Sequence, residues 1–499
     1  MIAQPACRLS SAAKPARNET IINKVIVKDL NGDGKPDIVF NPFNGTLDVM
    51  LNQGGGQFIS GNLIDIGLLP VAMIASDLNH DGIPDLALIG LENCAQGIPN
   101  EFISVLSANG KPLATKHINY SSYNAWGLGL GDLNGDGYTD AVLSENGTST
   151  KLTAMFNNGS GFFSLANHPY TDVADDSFAL GNFNADSKAD VAAIVTTTNE
   201  LQVLLGLGNG EFHSSATYPT GSSPVSVSQV DLNGDGYRDL VVANSGDNTI
   251  EVFLGSADGK FQPGKSYAAG NSPTQVAFGD FNRDGKLDIA VANSTAVSIL
   301  LGKGDGSFNA LHSFPVGDTV NYIAVADLRG NGDNDVVVVV DDGNPYMYVL
   351  SGNGKGSLGK AVRYSGTDNA VGITTGDFNG DGAVDVAVQN FASTGPTIFY
   401  NQGGTHISLA SSQKQIKSGQ AVTLTAIVSA SIAGSGMPTG VVDFRSGSIL
   451  LGSATLQQGK ATLSTSKLTP GMHSLVATYL GTQDFNHHVS SGITITVLP

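Results

Sequence analysis

Five oxygen donors recur at alternate positions in a nine-residue stretch that begins at Asp29: the side chains of Asp29, Asn31, Asp33 and Asp37, and the backbone carbonyl of Lys35. Hard oxygen donors in that number suit Ca²⁺. Gly34, at the sixth position, lets the chain turn sharply around an ion where a Cβ would be costly. The set returns as Asp77, Asn79, Asp81, Ile83 and Asp85 with Gly82, and as Asp132, Asn134, Asp136, Tyr138 and Asp140 with Gly137. It returns again as Asp231, Asn233, Asp235, Tyr237 and Asp239 with Gly236, and as Asp280, Asn282, Asp284, Lys286 and Asp288 with Gly285. The sixth complete set is Asp377, Asn379, Asp381, Ala383 and Asp385 with Gly382. In every set the seventh residue offers its carbonyl. Two further copies have drifted: at Asn182 an amide replaces the first carboxylate and Ser187 the glycine, and in the copy at Asp327 the third position is Arg329. Weak calcium binding or none is expected at 182–190 and 327–335, which leaves about six sites.

An EF-hand loop starts the same way but needs a bidentate Glu at position twelve and a helix on each side. Position twelve here is apolar, as Phe40, Leu88, Leu143, Val242, Val291 and Val388, and lies in short β-type runs such as Asp37-Ile38-Val39-Phe40. Each loop therefore joins two strands. Asp, Asn and Gly are also ordinary turn residues, so a single copy would carry little weight. Six complete copies at even spacing exclude coincidence.

The eight copies begin 47 to 55 residues apart, which is the length of one four-stranded propeller blade. Between loops each period reads alike: a strand ending in the first Asp, the loop, a second strand, a third, and a Gly-rich hairpin. An aromatic then follows about 30 residues after the loop begins, as Phe58, Phe162, Phe212, Phe261 and Phe308. A Gly-x-x-Pro precedes several loops, at Gly67 to Pro70, Gly221 to Pro224 and Gly270 to Pro273. Period, loop and turn marks agree.

These residues resemble the FG-GAP, or VCBS, repeats of integrin-α-type β-propellers, over roughly residues 1–403. The resemblance implies loops between the first and second strands of each blade, with calcium stiffening them at one face of the disc. Carried over position by position, it assigns metal binding to the six complete loops and leaves Ser187 and Arg329 as departures. The fold expected is all-β, an eight-bladed β-propeller with seven blades as the alternative count, followed by a smaller sandwich. The last repeat passes into other sequence after its third strand, Thr397 to Tyr400. Part of residues 5–20 is expected to supply the outermost strand and seal the ring, hiding two bare sheet edges.

Residues 405–499 carry no such loop and a formal charge of +3, against −22 for the rest. A boundary near Gly403-Gly404 follows. The segment alternates, as in Val422-Thr423-Leu424-Thr425-Ala426-Ile427-Val428. It resembles a bacterial Ig-like module at Pro438-Thr439-Gly440-Val441-Val442-Asp443-Phe444, Leu451-Gly452-Ser453-Ala454-Thr455-Leu456 and Ala477-Thr478-Tyr479. It contains no cysteine, so its β-sandwich core must rely on packing.

The net charge of −19 is mostly local, since the six complete loops hold 18 of the 44 acidic residues and six Ca²⁺ would leave about −7. With 25 Lys and Arg and no basic cluster, nucleic acid is not an expected partner. No apolar run approaches the ~18 residues of a membrane span. Extracellular calcium modules work at roughly 10⁻⁴ to 10⁻³ M, which places the protein outside the cell or on its surface. Residues 1–20 lack a signal-peptide core, so an upstream or removed leader, or another export route, is expected. Cys7 and Cys94 pair only if the fold brings them within reach.

Signatures of catalysis are sparse: there is no H-E-x-x-H and no G-x-S-x-G. His80 sits inside the second loop and is read as solvent-facing, Trp126 as packing, and Glu145 and Glu200 have no evident partner carboxylate. Three classes of function follow. The first is a non-enzymatic, calcium-stabilised recognition or adhesion protein with a glycan or protein ligand. The second is a polysaccharide lyase or hydrolase, for which His117, Tyr120 and Tyr123 are the one hint. The third is a passive surface spacer.

Overall fold

In a computed structural model of the chain, the described residues are 25–499 without 42–45, 61–63, 67–68, 92–100, 109–110, 120–124, 146–150, 167–169, 172–176, 341–345, 368–369, 391–394, 402–404, 431–436, 483–484 and 486. Cys7, Cys94, Tyr120, Tyr123 and the expected closing strand in 5–20 lie outside them, as do the side chains of His117, Trp126 and Glu145.

All regular structure among the described residues is β. Eight antiparallel sheets follow one another up to residue 399, their strands in chain order except that Ile64–Asp65 and Tyr170–Thr171 pair back onto the third strands of the first and third sheets. Their first strands are Val25–Lys28, Leu69–Ser76, Ala125–Gly131, Phe178–Gly181, Pro224–Val230, Gln275–Gly279, Val320–Ala326 and Ala370–Gly376. Every second strand opens on the ninth residue of a loop: Asp37–Phe40, Asp85–Leu91, Asp140–Glu145, Asp190–Val195, Asp239–Asn244, Asp288–Ala292, Asp335–Val340 and Asp385–Asn390. These second strands are sandwiched on both faces, which is why they read as unbroken apolar runs such as the fully buried DVVVVV of Asp335–Val340. The eighth sheet has three described strands, the last being Thr397–Phe399.

First strands of successive sheets touch all the way round, and Ala370–Gly376 meets Val25–Lys28. The core is accordingly cut into slices, one per seam, because alternate residues of a strand point to opposite neighbours. In the first sheet Ile26 and Val39 pack towards Met73, Leu86 and Leu88 of the second, while Val25, Ile38 and Phe40 pack against Phe378 and Ala387 of the eighth. Phe58 and Phe378, with ring centroids 6.5 Å apart and planes tilted by 59°, meet at that closing seam. The Tyr400 hydroxyl donates to the Gly56 carbonyl across it at 2.8 Å.

Of the hairpin aromatics, Phe212, Phe261 and Phe308 are buried. The third sheet differs from expectation: Phe162 is exposed and its neighbour Phe163 is buried. The strand Phe163–Leu165 starts one residue later than the spacing implies, and a one-residue slip exchanges the two faces.

Beyond residue 404 two further sheets form a sandwich. One holds Thr405–Ser411, Val422–Ala430 and Lys460–Thr465, and the other Gln415–Lys417, Ile493–Leu498, Gly471–Tyr479, Val441–Ser446 and Ile449–Thr455. Val422–Ala430 alternates strictly, its even positions buried up to Val428. Both sheets feed a single core around Phe444, Leu475 and Tyr479. The Tyr479 hydroxyl is satisfied by the Thr439 carbonyl at 2.6 Å.

Candidate metal-loop face

Because every loop joins the first strand of a sheet to its second, all eight lie at the same end of the ring. Each is anchored by the apolar residue at its second position: Leu30, Leu78, Leu133, Phe183, Leu232, Phe281, Leu328 and Phe378 are all buried. The curl comes from left-handed backbone at the fourth and sixth positions, as at Gly32 (φ 72°) and Gly34 (φ 84°). The drifted loop at 182 keeps the same curl with Ala185 (φ 60°) and Ser187 (φ 67°), at the steric cost that glycine would avoid.

The donors of the first loop hold that curl through backbone amides. Asp29 accepts from the N–H of Asp33 at 3.1 Å and of Gly34 at 2.7 Å. Asn31 Oδ1 accepts from Asp33 N–H at 2.9 Å, and Asp33 Oδ1 from Lys35 N–H at 2.9 Å. The bond from the sixth-residue N–H to the first carboxylate recurs at Gly82, Gly137, Gly236, Gly285, Gly332 and Gly382. First, third and fifth positions thus share one solvent-facing turn.

The ninth residue does something different. Asp37, Asp85, Asp140, Asp190, Asp239, Asp288, Asp335 and Asp385 are all buried. One oxygen of each accepts the N–H of the buried second residue, at 2.6–3.1 Å. The other oxygen accepts a backbone N–H at the end of the third strand, from Asn52, Asn157, Gly206, Gly255, Gly302, Gly352 and Asn401. One carboxylate therefore ties three segments of its blade together, with charge-assisted bonds of about 1.5–3 kcal/mol each. At Gly255 and Gly302 a Cβ would lie 2.2 Å and 2.1 Å from the carbonyl of the loop's eighth residue, so only glycine fits. Desolvation outweighs the two bonds, raising the pKa of Asp140, Asp190 and Asp288 to about 6 and of Asp385 to about 7.

The loops also clip neighbouring blades. Asn52 Nδ2 donates to the Phe378 carbonyl at 2.8 Å, Asn157 Nδ2 to the Leu78 carbonyl at 2.7 Å, and the Ala189 N–H to the Asp132 carbonyl at 2.8 Å. Side chains at the fourth position reach sideways too: the exposed His80 ring meets Tyr138 edge-on at 4.9 Å between centroids. Glu200 accepts from the Thr198 hydroxyl at 2.7 Å.

The donor set of the six complete loops fits a hard divalent ion in chemistry: three carboxylates, an amide oxygen and a backbone carbonyl. Among the described residues no three His, Cys, Asp or Glu groups are already gathered as a metal cluster. Instead Asn79, Asn134, Asn233 and Asn379 donate Nδ2 to the fifth-position carboxylate at 2.9–3.1 Å, bonds with which an ion would compete. Lys35 and Lys286 lie 2.9 Å and 3.7 Å from Asp33 and Asp284, and the lysine holds the Asp33 carboxyl below its usual range.

Besides the loop at 182, two more depart from the pattern. The eighth is covered by the sandwich: Asp381 and Ala383 are buried, and a Cβ on Gly382 would lie 3.4 Å from the His488 ring. In the loop at 327, Arg329 turns inward and its Nη2 lies 2.8 Å from the buried Asp335.

Fold and loops together define a β-propeller built on Asp-rich strand-to-strand loops and followed by an Ig-like sandwich. The chain belongs to the FG-GAP-like repeat family, whose model matches residues 29–88, 182–242, 231–291, 280–338 and 327–388. Residues 409–498 match the bacterial Ig-like domain (group 3). Two matched stretches start at drifted loops and the complete loop at 132 starts none, so membership does not sort the loops by metal capacity. No curated protein matches the chain.

Among solved structures, an Agrocybe aegerita lectin that recognises non-reducing terminal N-acetylglucosamine is 19% identical, with 75% of this chain and 87% of that one covered and a TM-score of 0.40. The Vibrio cholerae biofilm matrix protein Bap1 is 13% identical over 77% and 88%, with a TM-score of 0.42. A functionally unknown protein from Desulfotomaculum acetoxidans is 11% identical over 66% and 98%, with a TM-score of 0.43. Likeness at that level carries no argument about function. Among the described residues no helix is long and apolar enough to cross a membrane.

Proposed function

We propose that this is a calcium-stabilised, non-enzymatic recognition or adhesion protein that works outside the cell and binds a glycan or protein through the propeller. The observation that carries this reading is the repeated loop, with oxygens at the first, third and fifth positions of one turn, the fifth exposed in five of the six complete loops, above a buried ninth carboxylate. Several like charges crowded beside a desolvated carboxylate favour a bound cation, and the loop's clips to the next blade make the cation's role structural. Sites of this exposed, turn-borne kind fill at extracellular calcium levels. A propeller stiffened in this way presents the loops of several blades as one surface, and the Ig-like module extends it.

Equilibrium dialysis of the full chain against radioactive calcium tests the metal, and glycan and matrix-protein arrays in millimolar calcium test the role. Several ions per chain and a calcium-dependent array hit are expected. A chain that binds no calcium at millimolar concentration would end the proposal.

A further inference from the structure

We infer that the loop at 327–335 carries its own cation: the Arg329 guanidinium, joined by Arg283 of the preceding blade, holds the place that a divalent ion would take in the complete loops. The inference rests on the calcium reading for the other loops, but its evidence is separate. The backbone of this loop is that of its neighbours, with left-handed residues at Gly330 (φ 60°) and Gly332 (φ 82°). Its first carboxylate, Asp327, makes the usual bonds to Asn331 N–H at 3.1 Å and Gly332 N–H at 2.7 Å. Asp335 keeps both of its backbone donors, Leu328 at 3.1 Å and Gly352 at 2.8 Å. Two positions have changed: the third is Arg329 and the fifth is Asn331, where the complete loops carry Asn and Asp.

There Arg329 reaches under the turn. Its Nη2 and Nε donate to Asp335 Oδ1 at 2.8 Å and 3.1 Å, and Nη2 lies 3.8 Å from Asp333 and also donates to the Gly352 carbonyl. The guanidinium is planar and permanently charged, so it can serve several oxygens at once. From the preceding loop along the chain, Arg283 pairs with Asp333 at 2.7 Å and donates to the Asn331 carbonyl. Two carboxylates, Asp333 and Asp335, are thus paired with two guanidinium groups, the charge of one divalent ion. The far side is closed as well, since a Cβ on Gly354 would lie 2.1 Å from Asp333 Oδ1. This blade seam is therefore held without metal.

Two full-chain variants test the assignment. Arg329→Asn/Asn331→Asp restores the complete donor set, and should bind one more calcium ion than the parent by equilibrium dialysis. Arg329→Gln removes the cation alone, and in chelator should unfold at a lower temperature than the parent. An unchanged ion count in a parent that binds calcium would overturn the inference. So would an Arg329→Gln chain that unfolds in chelator at the parental temperature, and that arm decides even if the parent binds no calcium. A parent without calcium would sink the functional proposal and with it the comparison to a divalent ion, but not the hold of Arg329 on this seam, which the chelator arm tests by itself.

Discussion

The two halves of the molecule solve the same problem, burying β-sheets without helices, in opposite ways. In the sandwich both sheets pour their apolar faces into one core around Phe444 and Tyr479, and among its described residues no charged side chain is buried. The propeller divides its core into separate seams, and its second strands are covered on both faces. Each blade must then fasten its open end with polar parts, and a buried carboxylate on backbone amides does so in all eight. The difference teaches that propeller stability is exposed to charge, protons and metal, whereas the sandwich should be indifferent to all three.

The contrast would sharpen most with a packing defect confined to one side. Phe444→Ala is expected to cost the sandwich about 3–5 kcal/mol and leave the propeller transition in place, as read by two-transition calorimetry of the full chain. A coupled fall in both transitions would break the comparison. Next comes Asp239→Asn, which keeps one acceptor oxygen and strands the N–H of Leu232 or Gly255. About 1–3 kcal/mol should be lost, from the propeller alone.

A smaller effect concerns pH. Asp190 lies in the drifted loop, where weak calcium binding or none is expected, and burial raises its folded pKa to about 6 from 3.8. Between those values the folded state holds a proton that the unfolded chain has released, so this contribution to stability is present at low pH and fades as pH rises through about 6. Propeller stability in calcium should therefore increase from pH 7 to pH 5, and Asp190→Asn should flatten that slope; a slope of opposite sign, or one the substitution leaves intact, would refute the assignment. Lastly, Lys260 forms an exposed pair with Asp258 at 2.9 Å, and Lys260→Ala should move neither transition.

Much of this was legible in the sequence because the loop spells its chemistry at every second residue. The start of each second strand, the strand-to-strand setting and the alternating sandwich strand follow from periodicity alone. The double life of the ninth Asp does not, since a ligand and a buried hydrogen-bond acceptor are the same letter. One signal was available: both drifted copies lose other donors yet retain Asp190 and Asp335. Nor could spacing say whether Arg329 points out to solvent or in towards Asp335, because a long flexible side chain reaches either way. The close approach of His488 to Gly382, more than 100 residues earlier, depends on how two separate cores meet. Phe163 in place of Phe162 shows how a one-residue shift at a hairpin escapes a period of about fifty.

The most direct test is calorimetry of the full chain in millimolar calcium and again in chelator. A ligand that binds only the folded state must raise its stability. The account predicts that chelation lowers the propeller transition and leaves the sandwich transition where it was. A propeller transition that does not move would contradict it, and the loops would then be turns held by their own carboxylates without metal.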